Sequence, residues 1–193
     1  MDNTQSKRVC TGVSLLALIT LVACSLFETG APKKPSTGEQ CLLPRSEDEL
    51  LGTLSCAIEM SDANLFGDRL AQNYRFYPDP LVVLDRFPEP FTAIEEKAHL
   101  SAVFANSDAV NLRWLNEVYE PTFDGHVIEA DYELTVTRSG GSHDVYRGHV
   151  QLEVAEGIRG GWGVVTWQDF RANGGISKSW TDLRYEVVGA TGG

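Results

Sequence analysis

Basic residues are scarce in this sequence: 16 Lys and Arg stand against 27 Asp and Glu in 193 residues, a net charge of −11. A surface with that balance repels phosphate backbones, which argues against nucleic acid as a partner. Long apolar runs are also missing. A membrane-spanning helix needs about 20 mostly apolar residues, and the best apolar stretch, residues 9–23, is interrupted by Thr11, Gly12, Ser14 and Thr20. The four cysteines form no CxxC pair. His99, His126, His143 and His149 are scattered, whereas a metal site needs three or four converging ligands. There is no P-loop, dinucleotide fingerprint or nucleophile elbow, because Gly140-Gly141 and Gly160-Gly161 fall in hairpin turns rather than ahead of helices. The expectation is a protein without metal or organic cofactor, in which the sequence names no catalytic residue.

What is present begins with Lys7 and Arg8 ahead of residues 9–23, the layout of a secretory signal. Leu21-Val22-Ala23-Cys24 resembles the lipobox of bacterial lipoproteins, in which the cysteine receives a diacylglyceryl group and becomes the new N-terminus. The resemblance implies a signal peptide over residues 1–23, acylation of Cys24 with chains such as palmitate, and a protein held in the cell envelope by its lipid. More than one acyl chain gives stable anchoring. Ser25, where an aspartate would retain the protein at the inner membrane, is similar to outer-membrane lipoproteins of Gram-negative bacteria, facing periplasm or surface. Removing residues 1–23, which hold Lys7, Arg8 and Asp2, leaves 14 basic and 26 acidic residues, a net of −12. The lipid, not charge, makes the membrane contact.

Residues 24–45, with Ala31-Pro32-Lys33-Lys34-Pro35-Ser36-Thr37-Gly38, read as a flexible tether; residues 46–188 read as one domain and 189–193 as a disordered tail. In an oxidising compartment Cys41 and Cys56 are able to pair. The stretch from Cys41 to Ser46 reaches ~17 Å when extended. If Cys56 lies three turns into a helix starting after Ser46, it is ~15 Å along the axis. The spacing therefore allows a bridge, with two free thiols as the alternative.

Ser46 with Glu49 forms a capping-box pattern, followed by Leu50, Leu51, Leu54, Ala57 and Ile58 at helical spacing. Asp62 is placed to cap a short second helix with Leu65, Phe66 and Leu70, and Tyr74-Arg75-Phe76-Tyr77 alternates as a strand until Pro78-Asp79-Pro80. Thr92 with Glu95 opens a third helix through Ile94, Ala98, Val103 and Phe104. Beyond it Val110–Val118, Ile128–Val136 and Tyr146–Val154 alternate as strands. Even-numbered residues face inward on the last two, which requires an odd loop, Ser139-Gly140-Gly141, with Gly141 left-handed. That register sets Glu133 opposite Arg147, Asp131 opposite His149 and Tyr132 opposite Gly148. The strand over residues 162–170 is apolar on both faces, so residues 179–185 are expected to fold back over its outside.

This is an α+β order, three N-terminal helices on a curved antiparallel sheet. The stretch Leu70-Ala71-Gln72-Asn73-Tyr74-Arg75-Phe76 after two helices, and Gly161-Trp162-Gly163-Val164-Val165-Thr166-Trp167-Gln168-Asp169 near the end, resemble NTF2-like (SnoaL-like, cystatin-like) domains over residues 46–172. The resemblance implies a cone with a pocket between helices and sheet, used in that superfamily for binding or for isomerase and dehydratase chemistry. Tyr74, Trp114, Tyr132, Tyr146, Thr166 and Gln168, inward by alternation, would line it and suit a small amphipathic ligand. Asp79 before Pro80 is similar to the aspartate base of ketosteroid-isomerase-like members, but the tyrosine donor of their first helix is replaced by a residue near Leu54. The reading is thus a non-catalytic envelope lipoprotein that binds a small ligand or an envelope protein, with isomerase or dehydratase chemistry in the cone as the alternative.

Overall fold

The structure, a computed structural model, describes residues 41–81, 90–172 and 177–191. Cys24, the signal and the tether up to residue 40 lie outside the described residues. Two helices, α1 (Glu47–Glu59) and α2 (Ala63–Gly67), precede strand β1 (Leu70–Tyr77) and helix α3 (Ala93–Ala105). Four strands follow: β2 (Ala109–Pro121), β3 (His126–Thr137), β4 (His143–Ile158) and β5 (Gly161–Arg171). A fourth helix, α4 (Trp180–Thr191), comes after them and passes the expected boundary at residue 188. The sheet order is β1-β5-β4-β3-β2. The meander β2 to β5 is antiparallel as expected, but β1 joins the edge of β5 in parallel, which the sequence order alone did not reveal.

Local chemistry explains most element ends. Asp62 caps α2 by accepting from the amides of Asn64 and Leu65 at 3.0 and 2.9 Å, taking up donors that no helical turn can reach. Thr92 and Glu95 form a reciprocal capping box on α3. Ser46 does not behave as expected: its side chain makes no cap bond, and Glu49 accepts from the Arg45 amide at 2.8 Å instead. Between β3 and β4 the register runs Glu133 to Arg147, Asp131 to His149 and Tyr132 to Gly148, and Gly141 has φ +82°, as the odd loop demands. Gly148 is required where it stands. A Cβ there would lie 2.5 Å from the Tyr132 hydroxyl and 2.6 Å from the Phe170 carbonyl oxygen.

The core lies between the sheet's inner face and the helices, with Leu50, Leu54, Ile58, Phe66, Ile128, Leu134, Leu152 and Trp167 all buried. Cys41 and Cys56 are bonded, with Cα atoms 5.4 Å apart, which fixes the residues before α1 onto its last turns. Closing a loop over a sequence separation of 15 restricts the unfolded chain, a gain of about 3 kcal/mol. Replacing both cysteines by serine is expected to lower the unfolding free energy by about that amount. Urea midpoints measured with and without reductant check this: the double variant should match reduced wild type and be insensitive to reductant.

Candidate functional site

The space between helices and sheet, where a pocket was expected, is occupied by α4. Trp180 is fully buried, its ring centroid 4.8 Å from that of Trp167, 6.1 Å from Tyr132 and 6.3 Å from Phe66. Leu183 and Arg184 are equally buried. Residues 179–185 therefore cover the inner face of β5, not its outer face as expected. The reason lies in β5 itself. Thr166 pairs with Glu153 but Val164 pairs with Val154, so Val165 is an extra residue, a bulge that changes the parity of the strand. Val164, Trp167 and Asp169 all become inward and buried, and the outward apolar face that seemed to need a cover disappears.

The same bulge corrects two pocket residues: Thr166 and Gln168 face outward, where the Thr166 hydroxyl donates to Glu153 at 2.7 Å and Gln168 pairs with Gln151. Tyr74, Tyr132 and Tyr146 are inward and buried, but they pack the core instead of lining an open cavity. Trp114, half-buried, donates its indole N–H to the Leu51 carbonyl at 2.9 Å, and Tyr146 donates to Glu186 of α4 at 2.7 Å. Three surface clefts of about 420, 430 and 560 Å3 among the described residues contain none of the six.

Two polar clusters hold α4 in place. In the first, Tyr132 donates to Asp169 Oδ1 at 2.7 Å and accepts from the Trp180 amide at 2.6 Å, while Asp169 Oδ2 accepts from the Thr181 amide and hydroxyl at 2.8 and 2.6 Å. Burial pushes the Asp169 carboxyl up, against the bonds from Thr181 and Tyr132 that favour its charge. Burial, and then the Asp169 charge, push the Tyr132 phenol up as well. A tyrosine and an aspartate in contact are an acid–base pair in principle, but these are engaged by their own chain on every side. Asp79 is likewise committed: it is buried, and its carboxylate accepts from the amides of Leu81 and Arg171 at 2.7 and 2.6 Å. It shapes a turn and anchors the end of β5.

The second cluster is Glu96, His99 and Arg184, all at least nine-tenths buried. Ile94 and Ala98, two of the apolar positions that marked this helix, are exposed, and the buried face of α3 carries an acid and a histidine beside Leu100 and Val103. Arg184 pairs with Glu96 and sits 3.7 Å from the Phe76 ring centroid and 4.6 Å from that of Phe91. Trp180 donates its indole N–H to the other Glu96 oxygen at 3.2 Å. Burial lowers the guanidinium pKa to about 9, which still leaves it charged at neutral pH beside Glu96. His99 is lowered to about 4 by burial, with the Leu183 carbonyl acting weakly the other way.

Because the folded His99 takes a proton only near pH 4 and the unfolded one near 6.5, the unfolded chain binds more protons in between. Stability is thus lost as pH falls through that window, by about 3 kcal/mol. His99→Leu is expected to flatten the loss between pH 6.5 and 4, read from denaturant curves at each pH; an unchanged slope would contradict the assignment. On the outer face, Asp131 accepts from Asn116 at 2.7 Å and bonds His149 at 3.0 Å, a half-exposed pair facing water. Among the described residues no group of three His, Cys, Asp or Glu is arranged to hold a metal.

The sequence reasoning missed Glu96, His99 and Arg184. Glu96 lies off the apolar positions Ile94, Ala98, Val103 and Phe104 that marked this helix, and its only signal was the three-residue spacing to His99. No family model and no curated protein sequence matches the chain. Solved structures do resemble it. An NTF2-like superfamily protein from Salmonella enterica serovar Typhimurium is 17% identical over 68% of this chain and 93% of its own, with a TM-score of 0.51. A provisionally assigned scytalone dehydratase from Novosphingobium aromaticivorans is 8% identical over 69% and 89%, with a TM-score of 0.55. An NTF2-like protein of cystatin-like fold from the same species is 12% identical over 66% and 80%, with a TM-score of 0.52. At such identities the likeness speaks for architecture alone, and with the five-stranded sheet and its packed helices it establishes that this chain carries a domain of the NTF2-like, cystatin-like α+β fold.

Proposed function

We propose that this protein is a lipid-anchored envelope protein whose NTF2-like domain recognises another protein and does no chemistry in its cone. The observation that carries the second half is Trp180 seated in the cone against Trp167, with Tyr132, Asp169 and Glu96 all bonded to α4. A catalytic cone needs polar groups aimed at an empty space that a substrate can enter. Here the polar groups are aimed at the protein's own helix. The first half rests on the lipobox-like Leu21-Val22-Ala23-Cys24 and on the Cys41–Cys56 bridge, which suits an oxidising compartment.

Isomerase or dehydratase chemistry would have to use a buried acid–base pair such as Tyr132 and Asp169, after α4 had left. A thermal-shift screen with small amphipathic ligands, such as steroids and aromatic polyketides, separates the two readings. We expect the midpoint of the native protein to stay unchanged. A ligand-dependent rise of several degrees that Asp169→Asn abolishes would favour the enzyme.

A further inference from the structure

We propose that an apolar strip formed by Leu42, Leu43 and Met60 lies on the bilayer that holds the lipid anchor, so that the domain meets the membrane with one fixed face. This rests on the anchored reading above and adds the surface that meets the phospholipid headgroup layer. Single exposed apolar side chains are ordinary, but these three adjoin one another around one disulfide. Leu42 is 61% exposed, Leu43 43% and Met60 49%. Cys41 links them, since its Sγ is bonded to Cys56 and lies 3.1 Å from the Met60 sulfur. On α1 the same face runs through Gly52, Cys56 and Met60, spaced four apart, and a Cβ at Gly52 would meet nothing within 4 Å.

The strip is held in the open by its backbone. The Cys41–Cys56 bond fixes one end, the Thr53 hydroxyl donates to the Leu42 carbonyl at 3.2 Å, and the Trp162 amide donates to the Pro44 carbonyl at 3.1 Å. These bonds use main-chain atoms of Leu42 and Pro44, so polar side chains would serve the fold there as well. What covers the strip follows from where the chain leads. Cys41 is the first described residue, and residues 25–40 connect it to Cys24. A chain of that length reaches at most about 60 Å, and so short a linker holds the strip near the bilayer at an effective concentration of order millimolar. A weak apolar contact is then enough. Glu28 and Glu39 are balanced by Lys33 and Lys34 in the connecting stretch, which therefore adds no net charge against anionic headgroups. The exposed Glu49 and Glu59 flank the strip on α1 and limit its entry to headgroup depth. With α1 toward the membrane, the outer face of the sheet, on the other side of the core, points into the aqueous space where a partner protein can reach it.

The test uses the full-length lipidated chain in vesicles of phosphatidylethanolamine and phosphatidylglycerol, doped with a phospholipid that carries a diazirine near its headgroup. The vesicles are floated on a density gradient and irradiated, and the adducts are mapped by peptide mass. Adducts on residues 41–61 are expected to exceed those on β4 by about tenfold, the factor that partial transfer of two leucines from water implies. Leu42→Asp with Leu43→Asp is expected to remove that excess while flotation stays complete, because the lipid still holds the chain. Equal labelling of the two segments, or an excess that the double variant keeps, would overturn the proposal. Both leucines are exposed, so the variant should keep its melting midpoint; if it does not fold, Leu42→Asp alone, at the more exposed site, gives the same comparison. Wild type that does not float refutes the anchored reading and this proposal with it, whereas floating protein without the excess refutes the docked face alone.

Discussion

Trp180→Ala is expected to lower the unfolding free energy by about 3–5 kcal/mol, the range for truncating a buried aromatic residue, and the melting midpoint by roughly 10 °C. The substitution removes an indole packed on Trp167, Phe66 and Tyr132, and leaves Glu96 without one of its donors. It therefore combines a cavity in the most aromatic part of the core with a weakened buried ion pair. The Trp180 amide still reaches Tyr132, so the loss belongs to the side chain. Phe123→Ala provides the control. Phe123 is fully exposed, and its truncation should change stability by less than about 0.5 kcal/mol. A Trp180→Ala effect as small as the control would mean that α4 does not fill the cone.

Cys24→Ser is the second large effect, on location and not on stability. Wild type should fractionate wholly with membranes, resist extraction by salt, and show the mass of a chain starting at Cys24 with its acyl groups. Serine cannot form the thioether, so the variant should accumulate as unprocessed or soluble protein. More than one acyl chain is needed for stable anchoring, at about 0.8 kcal/mol per buried methylene, and the acidic chain offers no electrostatic substitute on an anionic surface. A mature start at another residue, or unchanged fractionation of Cys24→Ser, would refute the tether.

Where local rules act alone, the sequence could be read through to atomic pairings. The β3–β4 register followed from the parity of inward residues and one glycine-rich loop, and the caps at Asp62 and Thr92 from side chains that satisfy orphan amides. The disulfide was within reach of a length argument, although that argument left free thiols open. The site was less legible, for three physical reasons. A single bulge residue, Val165, inverts every later assignment on β5, and alternation carries no signal for it. Glu96 and His99 are buried because α4 brings Arg184 to the first and Leu183 to the second, so a polar helix face became interior through partners about 85 positions away, a separation no local pattern encodes. The parallel pairing of β1 with β5 likewise depends on contacts distant in sequence. The residues 179–185 read correctly as a segment that folds back on β5; the face was wrong because the bulge was invisible.

Hydrogen exchange at the backbone amides of Trp180 and Thr181 tests the internally closed cone most directly. These are the first two amides of α4, which a helix cannot satisfy by itself. Protection there reports docking rather than helix formation, since Trp180 donates to Tyr132 at 2.6 Å and Thr181 to Asp169 at 2.8 Å. The account predicts protection close to that of the paired amides of β4 and β5. Exchange of these two amides at the rate of an unstructured chain, with β4 and β5 still protected, would contradict it.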